Sequence, residues 1–324
     1  MIEQAVVLAA GRGTRLGALT ETRAKAMLPV LGKPIIARIM DRMAEAGIWR
    51  FVVVVSAEDQ AIRAYFDNGA WRPDCAVRFA QQPAPLGTAD ALRRAAPYID
   101  GPFLFSACDN LTPPGYVTAL RQHFDAFGGD LVLSLLRATP AAISRSAGVE
   151  VEGERVVRHV EKPPTAAVTS DLLSVMIYGC SLKALEALDQ VPLSPRGERE
   201  FAHVITQLID GGSRVGYRLL PWRLHLTHEH DLLAINQHYL GAGDDAQVLR
   251  ALPHSVQVRA PVRIEAGARV GEGAVIGPGV YLEAGCEVGA GARVSDSVVL
   301  RGGAVAPGAV VSQQVVAGGG PAQR

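Results

Sequence analysis

Short apolar runs alternate with helical periodicity up to about Tyr239, and from Val256 the chain changes to a six-residue beat. In the first region, residues 5–9 and 51–55 are apolar throughout, without alternation, as expected of strands buried on both faces. Residues 35–46 between them repeat apolar positions at helical spacing, and Gly47 ends that helix. Residues 77–80, 102–106 and 131–135 predict further strands, and residues 89–96 and 116–127 further helices. Strand and helix in alternation predict an α/β fold, with a mainly parallel sheet covered on both faces. Ligands of such sheets bind beyond the carboxyl ends of the strands, which here are the loops after Leu8 and Ser106.

In the second region Val258, Ile264, Val270, Ile276, Leu282, Val288, Val294 and Leu300 recur every six residues. A companion series of small or apolar residues runs two positions earlier: Val256, Val262, Ala268, Ala274, Val280, Cys286, Ala292, Val298, Ala304, Val310 and Val316. Gly, Ala, Glu and Pro fill the corners. The period predicts a parallel β-helix of roughly three coils, each coil made of three hexads of one short strand and one turn. An ordinary antiparallel β domain would not hold such a register. The predicted organisation is an α/β domain over residues 1–240, a joint at 241–253, a β-helix over 254–316 and a loose tail at 317–324.

A chain of 324 residues suffices for two domains with separate cores. Lys and Arg number 32 and so do Asp and Glu, which leaves no net charge and argues against nucleic acid as a partner. The four cysteines are widely spaced, without a CxxC pair, so neither a disulfide framework nor a zinc site is expected. No segment has the length and apolarity of a membrane span or the pattern of a signal peptide. The expectation is a soluble, cytoplasmic protein with no membrane partner.

Chemistry concentrates in the loop after the first strand, Gly11-Arg12-Gly13-Thr14-Arg15-Leu16-Gly17, with Lys25 some ten residues on. A Walker loop would end in Gly-Lys-Ser/Thr, and Arg15-Leu16-Gly17 does not. A dinucleotide fingerprint would need glycine at Leu16. What remains is a phosphate-binding loop whose lysine comes from a distance. Gly11 and Gly13 let backbone N–H groups approach phosphate oxygens, Arg15 offers a planar fork, and Lys25 offers a compact charge.

These residues resemble the sugar-1-phosphate nucleotidyltransferases, whose LAAGxGTRL and K-x-M-L-P-V motifs stand here at residues 8–16 and 25–30. Further motifs follow in the family's order. Gln82 to Ala89 is similar to its nucleotide-base loop, Asp109-Asn110 to its metal aspartate, and Val160-Glu161-Lys162-Pro163 to its sugar-binding E-K-P. Arg196-Gly197-Glu198-Arg199-Glu200 resembles a sugar-contacting segment, and Asp231-Leu232-Leu233 with Asn236 its closing motif. The resemblance implies a Rossmann-like catalytic domain followed by a short left-handed β-helix. It implies transfer of a nucleotidyl group from a nucleoside triphosphate, UTP or dTTP favoured, to a sugar-1-phosphate of hexose or N-acetylhexosamine type, releasing pyrophosphate.

Catalytic roles would fall to Arg15 on the departing pyrophosphate, Lys25 on the α-phosphate, and Asp109 on a Mg²⁺ ion. Leu8, Ala10, Gly11, Gly13, Thr14, Gln82, Gly87 and Thr88 would bind the nucleotide, with Gly87 leaving space for the base. Asn110, Gly148, Glu161, Lys162, Tyr178 and Glu200 would bind the sugar phosphate. Relatives with such coils imply a homo-oligomer, a trimer or larger, assembled through the β-helix.

The chain departs from the family pattern where a second acidic metal ligand is usual, six residues before Asp231, because His225 stands there. Imidazole suits Mn²⁺, Co²⁺ or Zn²⁺ better than Mg²⁺. His225 is therefore read as a metal ligand for a softer ion, or as a structural or phosphate-contacting histidine. Met176 replaces a common glycine, and Ala202-His203 a common Thr-Asp, near the expected sugar pocket. The repeats contain no histidine, His254 only preceding them, which argues against the acetyl transfer that longer coils carry out in some relatives. The alternatives are an adenylyl- or guanylyl-specific member and a regulatory paralogue that binds nucleotide sugar without turnover.

Overall fold

The computed structural model of the protein describes residues 1–11, 13–67, 71–243 and 252–318. Most of the expected joint (244–251) and of the expected tail (319–324) lies outside the described residues, as does Arg12. Two compact units are present: Met1–Gly11 with Ile36–Arg223, and Arg12–Ile35 with Leu224–Arg324. Beyond Gly11, the expected phosphate loop thus belongs to the same unit as the coil.

The first unit is built on nine strands: β1 (Gln4–Leu8), β2 (Arg50–Val55), β3 (Ala76–Gln81), β4 (Phe103–Ala107), β5 (Leu131–Arg137), β6 (Ala147–Glu152), β7 (Arg155–Glu161), β8 (Leu172–Cys180) and β9 (Val215–Leu219). Their order across the sheet is β3-β2-β1-β4-β8-β5-β9-β7-β6. β3, β2, β1 and β4 run parallel, as the buried apolar runs predict. β8 then enters antiparallel to both β4 and β5, and β7 pairs antiparallel with β9 and β6, so the far half of the sheet is mixed. Residues 51–55 are at most 4% exposed, which explains why this strand shows no polar alternation. Burying each such side chain contributes about 1.5–3 kcal/mol.

Helices α1 (Ile35–Glu45), α2 (Gln60–Asp67), α3 (Thr88–Ala95), α4 (Tyr116–Phe127) and α5 (Phe201–Asp210) connect or flank these strands. Gly47, at φ +84°, closes the end of α1, and the Ile48 N–H returns to the Met43 carbonyl.

In the second unit the short strands stack in three parallel sheets. Successive partners are eighteen residues apart at first, as in Val262↔Val280 and Arg269↔Glu287, and later seventeen, as in Val298↔Val315 and Glu287↔Ala304. These parallel strands fit a β-helix with an apolar interior of Ile264, Ile276, Leu282, Val288, Val294 and Val299. The expected register slips by one residue after Val294. Leu282 pairs with Val299, not Leu300, because Asp296 at φ +43° turns the corner with one residue fewer. Aspartate tolerates this left-handed conformation better than most residues. Val305 and Val311 then follow the interior series, while Val310, of the companion series, is 75% exposed.

The same unit holds the loop. Gly13, at φ +64°, opens a 3-10 turn over Thr14–Thr20, which buries Leu16 and Leu19. The 3-10 turn, where a Walker or dinucleotide loop would continue into a long helix, agrees with the motif-based exclusion of both. Helix α6 (Glu229–Gly241) holds the segment downstream through Asn236, which is fully buried. Asn236 accepts from the Leu31 N–H at 2.9 Å and donates to the Pro29 and Leu232 carbonyls at 3.3 and 2.8 Å.

Candidate active site

Strand register sets the first half of the site. Leu8 lies opposite Val54 on one side and Ala107 on the other, so the carboxyl ends of β1, β2 and β4 are level. The Cys108 N–H donates to the Leu8 carbonyl at 3.2 Å, and the Gln82 N–H to the Val55 carbonyl at 2.9 Å. Ala10, Gly11, Gln82, Asp109 and Asn110 therefore emerge along one edge of the parallel half, where the alternation predicts a ligand. A Cβ added at Gly11 would meet no protein atom within 4 Å, so protein packing does not account for that glycine.

Gln82 is 6% exposed and donates through Nε2 to the Gly87 carbonyl and to Asp90, both at 3.0 Å. Both of these neighbours are acceptors only, which fixes the amide with its NH₂ inward and its carbonyl oxygen as the remaining acceptor. Beside the expected room for a base, Gly87 has a packing reason. At φ +100°, a Cβ on Gly87 would collide with the Arg199 carbonyl oxygen. Around this approach, the Ala89 N–H donates to that carbonyl at 2.9 Å, and the Arg199 N–H to Leu86 at 2.7 Å. The Thr88 hydroxyl accepts from the Phe201 N–H at 2.9 Å, capping α5. The candidate base loop and the 196–200 segment are thus fastened together.

On the sugar side, Lys162 takes a left-handed φ of +46°, and its N–H donates to the Ser146 carbonyl at 2.6 Å. A non-glycine residue in this region is strained and is held there by its surroundings. Glu161 lies 3.8 Å from both the Lys162 ammonium and the Arg196 guanidinium, and Arg196 also binds Glu200. Burial, reinforced by the Glu200 charge, pushes the Glu161 carboxyl upward. The E-K-P segment and Glu200 therefore meet through Arg196, a residue to which the sequence alone assigned no role. Gly148 lines a cavity of about 190 Å³ with Val160, Pro163 and Ser170. Tyr178 is buried, stacks on Phe201 at 5.9 Å and shares a 2.8 Å hydrogen bond with Ser174. Burial pushes its hydroxyl well up.

Asp109 and Asn110 are joined by a 3.1 Å hydrogen bond from Asn110 Nδ2, and Asn110 in turn accepts from Arg223 at 3.0 Å. Burial lowers the Arg223 guanidinium, while the nearby Asp109 charge works against that shift. Arg223 belongs to no recognised motif, and only the structure reveals a cation beside the candidate metal aspartate. A carboxylate at this place suits a hard divalent ion, so Asp109 fits the implied metal.

Gly13, Thr14, Arg15, Lys25 and His225 belong to the second unit. Thr14 and Arg15 are exposed, and Lys25 is half-buried. A Cβ on Gly13 would stand 3.0 Å from the Lys25 Cβ and 3.2 Å from Thr20 Cγ2, so glycine is what lets the loop close on the lysine. The ring of His225 is oriented by a 3.0 Å contact between Nδ1 and the Thr227 hydroxyl. With Nδ1 donating, Nε2 keeps the lone pair a metal requires; with Nδ1 accepting, it does not. Among the described residues, His228, His230 and Asp231 offer ligand atoms within 4.8 Å of one another. Asp231 is already engaged there as a helix cap, accepting from the Thr227 and His228 N–H groups at 2.8 and 2.7 Å. No helix among the described residues is long and apolar enough to cross a membrane.

A model of the nucleotidyl transferase family matches residues 4–222, and one of the GMPPB C-terminal domain matches residues 258–320. UTP–glucose-1-phosphate uridylyltransferase AglF of Haloferax volcanii is 31% identical, over 70% of this chain and 93% of its own length. Glucose-1-phosphate thymidylyltransferase of Streptomyces antibioticus is 30% identical, over 72% of this chain and 65% of its own. The bifunctional protein GlmU of Methanococcus maripaludis is 27% identical over 82% of this chain, which spans 61% of that protein's length. Among solved structures, UDP-glucose pyrophosphorylase complexed with UDP-glucose is similar at a TM-score of 0.68 and 18% identity, covering 75% of this chain and 100% of that one. That last likeness is one of fold.

Proposed function

The chain belongs to the nucleotidyl transferase family, and we propose that it joins a nucleoside triphosphate to a sugar-1-phosphate, releasing pyrophosphate and forming a nucleotide sugar. The observation that carries this reading is the level edge of β3, β2, β1 and β4, with Gln82 at one end of it and Asp109 at the other. An oxygen of the sugar phosphate attacks the α-phosphorus, and the bond to the β-phosphate oxygen breaks. No protein nucleophile is needed, because the attacking group is already anionic; positioning and charge neutralisation carry the rate.

In this reading Lys25 offsets charge on the α-phosphate and Arg15 on the departing pyrophosphate, with Gly11, Gly13 and Thr14 around the phosphates. Asp109 would hold the divalent ion, Mg²⁺, or Mn²⁺ or Co²⁺ if His225 also ligates, and that ion supplies further charge to the phosphates. The Gln82 carbonyl oxygen selects a base with an imino N–H donor. Uracil, thymine and guanine have one; adenine and cytosine do not. Two relatives that are at least 30% identical carry uridylyl- and thymidylyltransferase names, which supports UTP or dTTP. Glu161 accepts from sugar hydroxyls, Lys162 meets the sugar phosphate, and Arg196 holds Glu161 and Glu200 in mutual register.

The coil is read as left-handed and as the surface through which chains assemble into a trimer or larger oligomer, which sedimentation tests directly. The substrate reading is tested by initial rates over the nucleoside triphosphates paired with glucose-1-phosphate and N-acetylglucosamine-1-phosphate. UTP or dTTP is expected to exceed ATP and CTP by at least roughly tenfold, about the discrimination one well-placed hydrogen bond gives. Equal rates for ATP and UTP contradict the role given to Gln82.

A further inference from the structure

The coil carries a buried acid, Glu283, and a half-buried one, Glu265. Ile264 and Leu282 are register partners, so Glu265 and Glu283, each next in sequence, stand one coil apart on the same corner. Neighbouring strands are about 4.8 Å apart, so the stacked carboxylates repel unless cations or donors compensate them. Glu265 accepts from the Tyr281 hydroxyl at 3.0 Å and from the Ala284 N–H at 3.1 Å. Glu283, whose side chain is 8% exposed, accepts from the Arg301 N–H at 2.8 Å. Its cation comes from far away in sequence: Arg23 meets both carboxylate oxygens, at 2.9 and 3.1 Å. Gly32 approaches the coil at the same corner, where any Cβ would collide with Glu265.

These contacts bracket Lys25. Arg23, two residues before it, is held by Glu283, and Pro29 and Leu31, just after it, are held by Asn236. Lys25 itself begins a short 3-10 turn, with the Leu28 N–H returning to its carbonyl at 3.1 Å. We propose that Glu283 and Arg23 are positioning residues through which the coil sets the place of Lys25, so that the β-helix acts on nucleotidyl transfer through the lysine loop. The inference rests on the reading of Lys25 as the α-phosphate cation. A bidentate arginine–carboxylate pair fixes orientation as well as distance, which is what a lysine that must track a reacting phosphate requires.

The test uses the full chain with Glu283→Gln, Arg23→Met, Arg23→Lys and the Glu283→Gln/Arg23→Met double variant. Glutamine keeps one acceptor oxygen for the Arg301 N–H, removes the charge and replaces the second oxygen that meets Arg23 with an NH₂ group. For each protein kcat, KM for the nucleotide, and peptide hydrogen exchange are measured. Expected are kcat values roughly ten- to hundredfold lower in Glu283→Gln and Arg23→Met, the scale of a small misplacement, with KM changed by less than about threefold. The double variant falls no further than the worse single one, and Arg23→Lys recovers most of the rate. Peptides spanning residues 13–31 exchange faster, while those spanning 287–316 keep wild-type protection. Unchanged exchange at 13–31 overturns the proposal, and so does faster exchange with unchanged kcat. If the wild type transfers no nucleotide from any substrate pair, the proposed function fails separately, and exchange at 13–31 still decides whether the coil holds the loop.

Discussion

The two units bring side chains to their places by different means. In the first, backbone hydrogen bonding is enough: once β3, β2, β1 and β4 are paired in register, Gly11, Gln82 and Asp109 follow along one edge. In the second, a loop without long regular structure is fixed by side chains from distant parts of the sequence, Asn236 on α6 and Glu283 on the coil. The first arrangement is insensitive to most single substitutions, because many ladder bonds share the task. The second depends on a few buried polar contacts, and breaking one leaves its partners unsatisfied.

The largest expected effect lies in the loop. Lys25→Ala is expected to lower the rate by roughly 10²–10³-fold, about 3–4 kcal/mol, as loss of a charge-stabilising group does elsewhere. Turnover near wild type in a pyrophosphate-release assay removes Lys25 from the chemistry. Next in size is a property of the sheet unit. Burial depresses His159 from 6.5 to about 4. The unfolded chain then binds the extra proton as pH falls through 6.5, so stability is lost from there down to about 4, and below that no more is lost from this group. The slope is about 1.4 kcal/mol per pH unit and the total about 3 kcal/mol. Denaturant titrations at pH 7 and pH 4.5 should show that loss, and His159→Met should flatten it; equal slopes for the two proteins assign the acid sensitivity elsewhere.

Asn236→Ala probes the dependence on single contacts. It strips partners from the Leu31 N–H and the Pro29 carbonyl, and a cost of about 2–3 kcal/mol is expected in chemical denaturation. A change below about 0.5 kcal/mol would mean the loop is held otherwise. Smallest in rate but sharp in kind is His225→Asp. Here the ratio of activity with Mg²⁺ to activity with Mn²⁺ or Co²⁺ is expected to rise, since a carboxylate suits the harder ion. No change in rate or metal preference excludes His225 as a ligand.

How much was legible in the sequence divides along the same line. Runs such as residues 51–55 announce strands buried on both faces, and α4 has the predicted bounds, Tyr116–Phe127. The antiparallel entry of β8 was not legible, because an apolar run carries no sign of its direction. The six-residue beat gave the coil, yet the slip after Val294 needed the backbone: Asp296 shortens one corner, and no periodicity count can see a φ angle. Within the site, motif residues were readable but their partners were not. Gly87 reads as room for a ligand, and the sequence gives no sign that it also admits the Arg199 backbone. Tyr178 reads as a sugar contact and is committed to Ser174 and Phe201. Arg196, Arg223 and Arg23 act through tertiary contacts with carboxylates and an amide, and arginine at a loop position has no pattern that distinguishes such a role from a solvated one.

Nucleotidyl transfer between two small phosphates can be followed by ³¹P NMR of the protein with UTP, glucose-1-phosphate and Mg²⁺. UTP and sugar-phosphate resonances are expected to decline together while pyrophosphate and a diphosphodiester appear in equal amounts, with UTP left intact when the sugar phosphate is omitted. Two outcomes would contradict it: UTP consumption without the sugar phosphate, or unchanged spectra with every nucleoside triphosphate and sugar-1-phosphate pair despite tight binding of the nucleotide sugar.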